Sequence, residues 1–207
     1  MLIYGAGGHA RVVIDILKAQ HQVIHGLIDN NPDFWRQDIG GVPVLGGDDI
    51  LSKLVETMTN QIIIAVGDNK TREAKAAELS ALGFQFSRAI HPTAKISRSA
   101  SIGDGSVVAI GAIISAQAII GDHAIINSGA IIDHDNRLGL AVHVSPGAVL
   151  GGTVVVGDRT WIGIGSTVIN NLTIGSDSIV AAGSVVIVSV PDRVMVAGVP
   201  AIIKKNL

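Results

Sequence analysis

Cysteine is absent from this 207-residue chain, which excludes thiol nucleophiles, thiolate zinc sites and disulfides. Proton chemistry near neutral pH then falls to its 7 histidines. His134 sits between two carboxylates in Asp133-His134-Asp135, and His143 follows nine residues later in Val142-His143-Val144. An imidazole with the ordinary pKa of about 6.5 is mostly neutral at pH 7, so it can take a proton from an attacking amine or hydroxyl. A neighbouring carboxylate orients the ring and favours the imidazolium that forms; by position, Asp133 and Asp135 both qualify. Solvated surface histidines would show the same spacing, and spacing alone does not choose. His91, just before Pro92, reads as structural at a junction between two differently patterned segments.

A second chemical signal opens the chain. Gly5-Ala6-Gly7-Gly8-His9-Ala10 follows the strand-like run Leu2-Ile3-Tyr4 and precedes a helical stretch with Val13, Ile14, Ile16 and Leu17 on one face. The turn fits G-x-G-x-x-A, and Asp29 lies 19 residues after Ala10. Such a turn offers helix N-terminal N–H groups to phosphate oxygens. It suits a dinucleotide such as NAD or another phosphorylated ligand. Only about 86 residues precede the repeat-bearing part described next, about half of a full dinucleotide-binding domain, which favours the latter.

The elements that must hold these groups differ between the two parts of the chain. Residues 1–86 read as a small Rossmann-like α/β unit with a parallel sheet. Its further strands run from Val23 to Ile28 and from Gln61 to Val66, ending at Asp29-Asn30 and Gly67-Asp68-Asn69, and a helix covers Thr71 to Leu82. From Ala94 the sequence divides into 16 hexads. Their third column, Ile96 through Val186, is aliphatic in all 16; with 67 Ile, Leu and Val in 207 residues, chance gives this about once in 10⁸. The first column is Ala, Ser or Thr in 12 blocks, with Asn136, Val142, Val154 and Leu172 as exceptions. Fourth-column residues are Gly, Ala, Ser, Asn or Asp in 14 blocks and suit corners with left-handed backbone angles. A short strand and a corner every six residues make a parallel β-solenoid with flat faces.

Composition removes several classes. A formal charge of −2 carries no footprint for nucleic acid. No window approaches 18 uninterrupted apolar residues, so no membrane insertion is expected, and no basic n-region precedes the first strand. A cytoplasmic protein is the expectation.

The hexads resemble those of the left-handed β-helix acyltransferases. With the turn YGAGGHA, then LIDN, IAVGDN and IHPTA, the resemblance spans nearly the whole chain. It is to the sialic-acid O-acetyltransferase and UDP-N-acetylbacillosamine N-acetyltransferase group. It implies residues 1–86 as a sugar-nucleotide-binding domain, 87–190 as a left-handed β-helix acetyltransferase domain, and 191–207 as a C-terminal tail. It further implies acetyl-CoA as cosubstrate, no metal, and a homotrimer with active sites between subunits. Substrate contacts would fall at Gly7, Gly8, His9, Asp29, Asn30 and Gly67; His134 would be the general base, with Asp135 beside it; and acetyl-CoA would meet His143, Ile164 and Ala182. Two departures are visible: Asp135 stands where the bacillosamine enzyme has Glu, and Ala182 where the family often has Gly. The tail Ala197-Gly198-Val199-Pro200-Ala201 resembles the family's ending, and Lys204-Lys205 fits either the CoA phosphates or a solubilising terminus. The implied reaction is N-acetylation of a nucleotide-linked amino sugar, most plausibly the 4-amino group of a UDP-trideoxyhexose, by direct transfer. The alternatives are sialic-acid O-acetylation, a non-catalytic solenoid that binds sugar nucleotide, and an NAD-dependent oxidoreductase.

Overall fold

A computed structural model describes residues 1–207. In the N-terminal unit, β1 (Leu2–Tyr4), α1 (Gly8–Ala19), β2 (Gly26–Ile28), β3 (Asp38–Ile39), β4 (Val42–Gly46), α2 (Leu51–Thr57), β5 (Gln61–Ile64), α3 (Asn69–Ala81) and β6 (Gln85–Phe86) follow one another. The sheet order is β3-β4-β2-β1-β5-β6, parallel except for the β3–β4 hairpin. The strand expected from Val23 begins only at Gly26, and Val23 is 68% exposed. β3, β4 and α2 are too short to have shown a period. Since β2 and β5 flank β1, the carboxyl ends of β1 and β5 open a crevice of the kind that takes ligands in open α/β sheets.

From Ala89 the chain winds as a three-faced prism. Each strand is two residues long and pairs in parallel with the strand 18 residues on: Ala89 with Val107, Val107 with Ile125, and Ile125 with His143 on the first face. Ile113 with Ile131 belongs to the second face and Ile119 with Arg137 to the third. First- and third-column side chains point inward, and Ile114, Ile120, Ile126, Ile132, Val144 and Leu150 stack in one buried core. The hairpin Val194–Gly198 and Ala201–Asn206 extends the first face, with Lys204 and Lys205 exposed on its outer strand.

Left-handed backbone angles occur at the sixth hexad position, not at the fourth as the composition suggested. Gln117, Asp135, Asn171 and Asp177 have φ of 61°, 60°, 60° and 55°. The fourth-column glycines answer a different need. Gly103, Gly121, Gly139, Gly157 and Gly175 stack at the corner between the third and first faces, where successive coils nearly touch. A Cβ on Gly121 would stand 2.6 Å from the Gly139 carbonyl oxygen, and one on Gly157 2.5 Å from the Ser176 nitrogen. The small residue there admits the next coil; it does not bend the chain.

The two parts share a core, because α1 packs Val13, Ile14 and Ile16 with Ala89, Val107 and Ile125 of the first face. Arg72 of α3 ties them together. Fully buried, it donates to the carbonyls of Val66 and Gly67 in its own unit and to those of His123 and Ala141 on two successive coils. Its Nη2 also reaches Asn69 Oδ1, and the Asn69 amide donates to the Arg159 carbonyl one coil further. Burial lowers the Arg72 pKa to about 10, which leaves it a cation held by carbonyl dipoles rather than by a carboxylate in contact. Arg72→Met strands these carbonyls, so urea unfolding should show a loss of about 3 kcal/mol or more. Arg72→Lys should recover only part of it, since an ammonium cannot span the fork. An unchanged midpoint in both variants contradicts this account.

Candidate functional site

Gly5, at φ +107°, is required by the strand-to-helix turn, where a Cβ would lie 2.9 Å from the Ala65 carbonyl oxygen. Gly7, Gly8 and Gly67 are different. None is left-handed, and a Cβ on any of them would meet nothing within 4 Å. Packing therefore gives no reason for glycine at these three positions, which border the crevice at the ends of β1 and β5. Gly7 caps α1 without any side-chain hydrogen bond, so first-turn N–H groups remain for a ligand. Asp29 accepts from Ala6 N and Asn31 N, both at 2.8 Å, fixing the turn from the end of β2. Asn30 pairs with Asp48, which also takes Tyr4 Oη at 2.7 Å and Lys75 Nζ at 2.8 Å. His9 carries a buried Nε2 without a partner, and burial reinforced by the Arg72 charge pushes its pKa down to about 4. It is a neutral ring.

Between α3 and the first face lies a cleft of about 560 Å³, lined among others by Gly67, Asn69, Lys70, His143, Arg159 and Trp161. His143 is half-buried there, because the N-terminal unit reaches over its column. Its ring stacks on Trp161 with centroids 5.8 Å apart and planes 10° from parallel, and Nε2 stands 3.3 Å from Asn127 Nδ2. Burial first, then the charges of Arg72 and His9, drive its pKa to about 3. His143 is fitted to hydrogen bonding, not to taking a proton.

His134 stands elsewhere, at the corner between the second and third faces, opposite the face that carries His143 and the N-terminal unit. Its Nδ1 is 2.8 Å from Asp135 Oδ2, while Asp133 Oδ1 accepts the His134 backbone N–H at 2.7 Å. The choice left open by spacing is thus resolved in geometry: Asp135 orients the ring and Asp133 the peptide. Asp135 reaches the ring from the left-handed corner position, which a short polar side chain tolerates. The Asp135 hydrogen bond, then the Asp133 charge, raises the His134 pKa above the ordinary imidazole value, and Nε2 makes no hydrogen bond within the chain. Ile164 and Ala182 occupy the other edge of the second face, and their corner N–H groups make no hydrogen bond within the chain. One chain therefore unites Gly67 with His143 but does not unite either with His134.

Three residues not singled out by the sequence complete the picture. Asn127 and Trp161 hold His143, as above. Gly152 lies one coil beyond His134, where a Cβ would be 2.5 Å from the ring Nε2 and Cε1. Aligning the chain on itself at 18 residues would have placed it there. No group of three or more His, Asp or Glu side chains stands close enough to hold a metal ion, and no helix is long and apolar enough to cross a membrane.

Comparison with known proteins agrees with both halves. Residues 1–79 match the PglD N-terminal domain family, and residues 153–187 match the bacterial transferase hexapeptide (six repeats) family. A perosamine N-acetyltransferase variant from Caulobacter crescentus, crystallised in complex with CoA and GDP-perosamine, is 43% identical with a TM-score of 0.96, covering 99% of this chain and 96% of that one. The acetyltransferase domain of PglB from Neisseria gonorrhoeae FA1090 is 35% identical with a TM-score of 0.89, covering 100% and 98%. UDP-N-acetylbacillosamine N-acetyltransferase of Bacillus subtilis (strain 168) is 40% identical over 108 residues, so that the match spans about half of each chain, 51% and 49%.

The His134 environment can be read directly by NMR titration. Its imidazole should titrate above 6.5, and Asp135→Asn should bring the midpoint down by replacing the carboxylate that favours the charged ring with a neutral amide. A parent midpoint at or below 6.5 contradicts the geometry.

Proposed function

Because the chain belongs to the hexapeptide-repeat acetyltransferases that carry a PglD-type N-terminal domain, we propose that it transfers the acetyl group of acetyl-CoA to the amine of a nucleotide-linked amino sugar in glycan biosynthesis. The observation that carries this reading is the His134–Asp135 pair: an accessible imidazole of raised pKa with its Nε2 open, on a prism corner. The nucleotide sugar is held at Gly7, Gly8, His9, Asp29, Asn30 and Gly67, the three open glycines letting it approach the backbone closely. The amine nitrogen attacks the thioester carbonyl as its proton passes to His134 Nε2. The C–S bond then breaks, and the CoA thiolate takes the proton from the imidazolium. Asp135 stabilises that imidazolium. The neutral His143 and the free N–H groups at Ile164 and Ala182 are the donors available to the thioester oxygen as it gains charge.

A homotrimer brings these groups together. The outward column of the second face is Lys95, Ile113, Ile131, Val149, Thr167 and Val185, a row that is apolar apart from Lys95 at its first coil and Thr167 and that a threefold axis would cover. With that face toward the axis, the His134 edge of one copy meets the Ile164–Ala182 edge of the next. The reading carries a cytoplasmic location, where acyl-CoA and nucleotide sugars are made. Relatives act on guanosine- and uridine-linked sugars, so both nucleotides belong in the test.

Thiol release from acetyl-CoA should occur with a UDP- or GDP-linked 4-amino sugar, and His134→Ala should lower kcat by about 10²–10⁴-fold. Release with sialic acid alone would favour O-acetylation, and none with any acceptor would end the transferase reading. The acid limb of the rate profile should lie above pH 6.5, since activity is lost as pH falls through the raised His134 pKa. Co-expressing His134→Ala with His143→Ala should restore part of the activity that each lacks alone. No recovery in verified mixed trimers would place both histidines in one subunit's site.

A further inference from the structure

The first hexad column points into the prism and is filled by small or apolar side chains, with one amide among them. Asn136 is fully buried, directly after the corner that carries His134. Its Nδ2 donates to the Asp133 carbonyl at 2.8 Å and to the Gly151 carbonyl at 2.9 Å, while its Oδ1 is buried with no partner. These two carbonyls belong to the same corner on successive coils. Asp133 precedes His134, and Gly151 precedes Gly152, whose missing side chain makes room for the His134 ring. The amide therefore spans the two stacked corners that bound the imidazole.

Other coils manage this corner without an amide. Ala118 and Ala100, one and two coils earlier in the same column, send their own backbone N–H to the corner carbonyls of Ser115 and Ser97. Hydroxyls elsewhere in the first column have one proton each and cannot hold two carbonyls at once, although Ser178 lies between those of Ser176 at 3.3 Å and Pro191 at 2.8 Å. Ser166 bonds Gly163, three residues back, while Ser106 and Thr160 bond Gly121 and Gly175, fifteen ahead. Asn136 takes both, at the coil of the candidate base, and leaves its own oxygen unpaired inside an apolar prism. A buried unpaired acceptor is a standing cost. A residue that breaks its repeat's rule at a loss in stability is most simply accounted for by the site beside it.

We propose that Asn136 is a positioning residue for His134: by joining the Asp133 and Gly151 carbonyls it sets the separation of the two corners, and so the placing of the imidazole against Asp135 and over Gly152. This rests on the reading of His134 as general base. The residue does not touch substrate. Its loss should act on turnover and on the titration of His134, not on affinity.

The test uses full-length Asn136→Ala and Asn136→Ser beside His134→Ala, with steady-state kinetics for both substrates and pH–rate profiles. Asn136→Ala should lower kcat about tenfold, keep both KM values within about twofold, and move the acid limb toward lower pH as the His134–Asp135 contact loosens. Asn136→Ser, which keeps one carbonyl bond, should lie between it and the parent, and it decides the matter if the alanine variant does not fold. Parent-like kcat and an unmoved limb in the folded variants overturn the proposal, as does a loss confined to KM. If His134→Ala keeps its activity, the general-base reading fails. If it is inactive while Asn136→Ala matches the parent, only the positioning role fails.

Discussion

Eighteen residues separate hydrogen-bonded neighbours along the prism up to its last coil, and the placing of every functional group on it follows from that register. Ile113 lies on Ile131 and Ile131 on Val149 because each coil uses three hexads, each with two strand residues and a four-residue corner. The inward third column then stacks without a break, and its burial drives the assembly. One inward aliphatic per side leaves no room for stacked rings. This explains a chain that is 48% hydrophobic yet only 3% aromatic. A one-residue slip would turn the inward column to solvent, so the register is strongly specified.

Corners are where the repeat can carry chemistry, because their side chains do not have to satisfy the core. His134 and Asp135 use the fifth and sixth hexad positions, and the left-handed angle at Asp135 brings its carboxylate back to the ring of the residue before it. The strand faces supply a second kind of position. His143 and Trp161 lie one above the other because the parallel ladder puts them there, and their stacking is a consequence of the 18-residue step. Neutral His143 and the more basic His134 thus come from one residue type in two surroundings: one desolvated beside a cation, the other solvated beside carboxylates.

Arg72 connects this prism to the nucleotide crevice. Its guanidinium takes carbonyls from two coils and from the loop at Gly67, so the crevice is held at a fixed height along the first face. The same charge contributes to lowering the pKa values of His9 and His143. A single buried cation therefore ties the two units together and, second to burial, helps keep the histidines of the cleft neutral. Nothing in its local sequence, Thr71-Arg72-Glu73 on a polar helix, distinguished it from a solvated arginine.

The hexad period, the inward column, the α/β unit with its glycine turn, and the His134 corner with its two flanking acids were all legible in the sequence. These are local patterns, and period and spacing record them directly. Tertiary structure alone decided which aspartate reaches the imidazole, because that choice rests on the backbone angle at Asp135. It decided that His143 is half-buried, because the cover comes from a unit more than fifty residues away along the chain. It also showed that fourth-column glycines admit the neighbouring coil and that left-handed angles fall at the sixth position. Gly152 and Asn136 owe their meaning to residues one coil away. A side chain's surroundings in a solenoid are set by register across coils, which composition and local motif do not encode until the chain is wound.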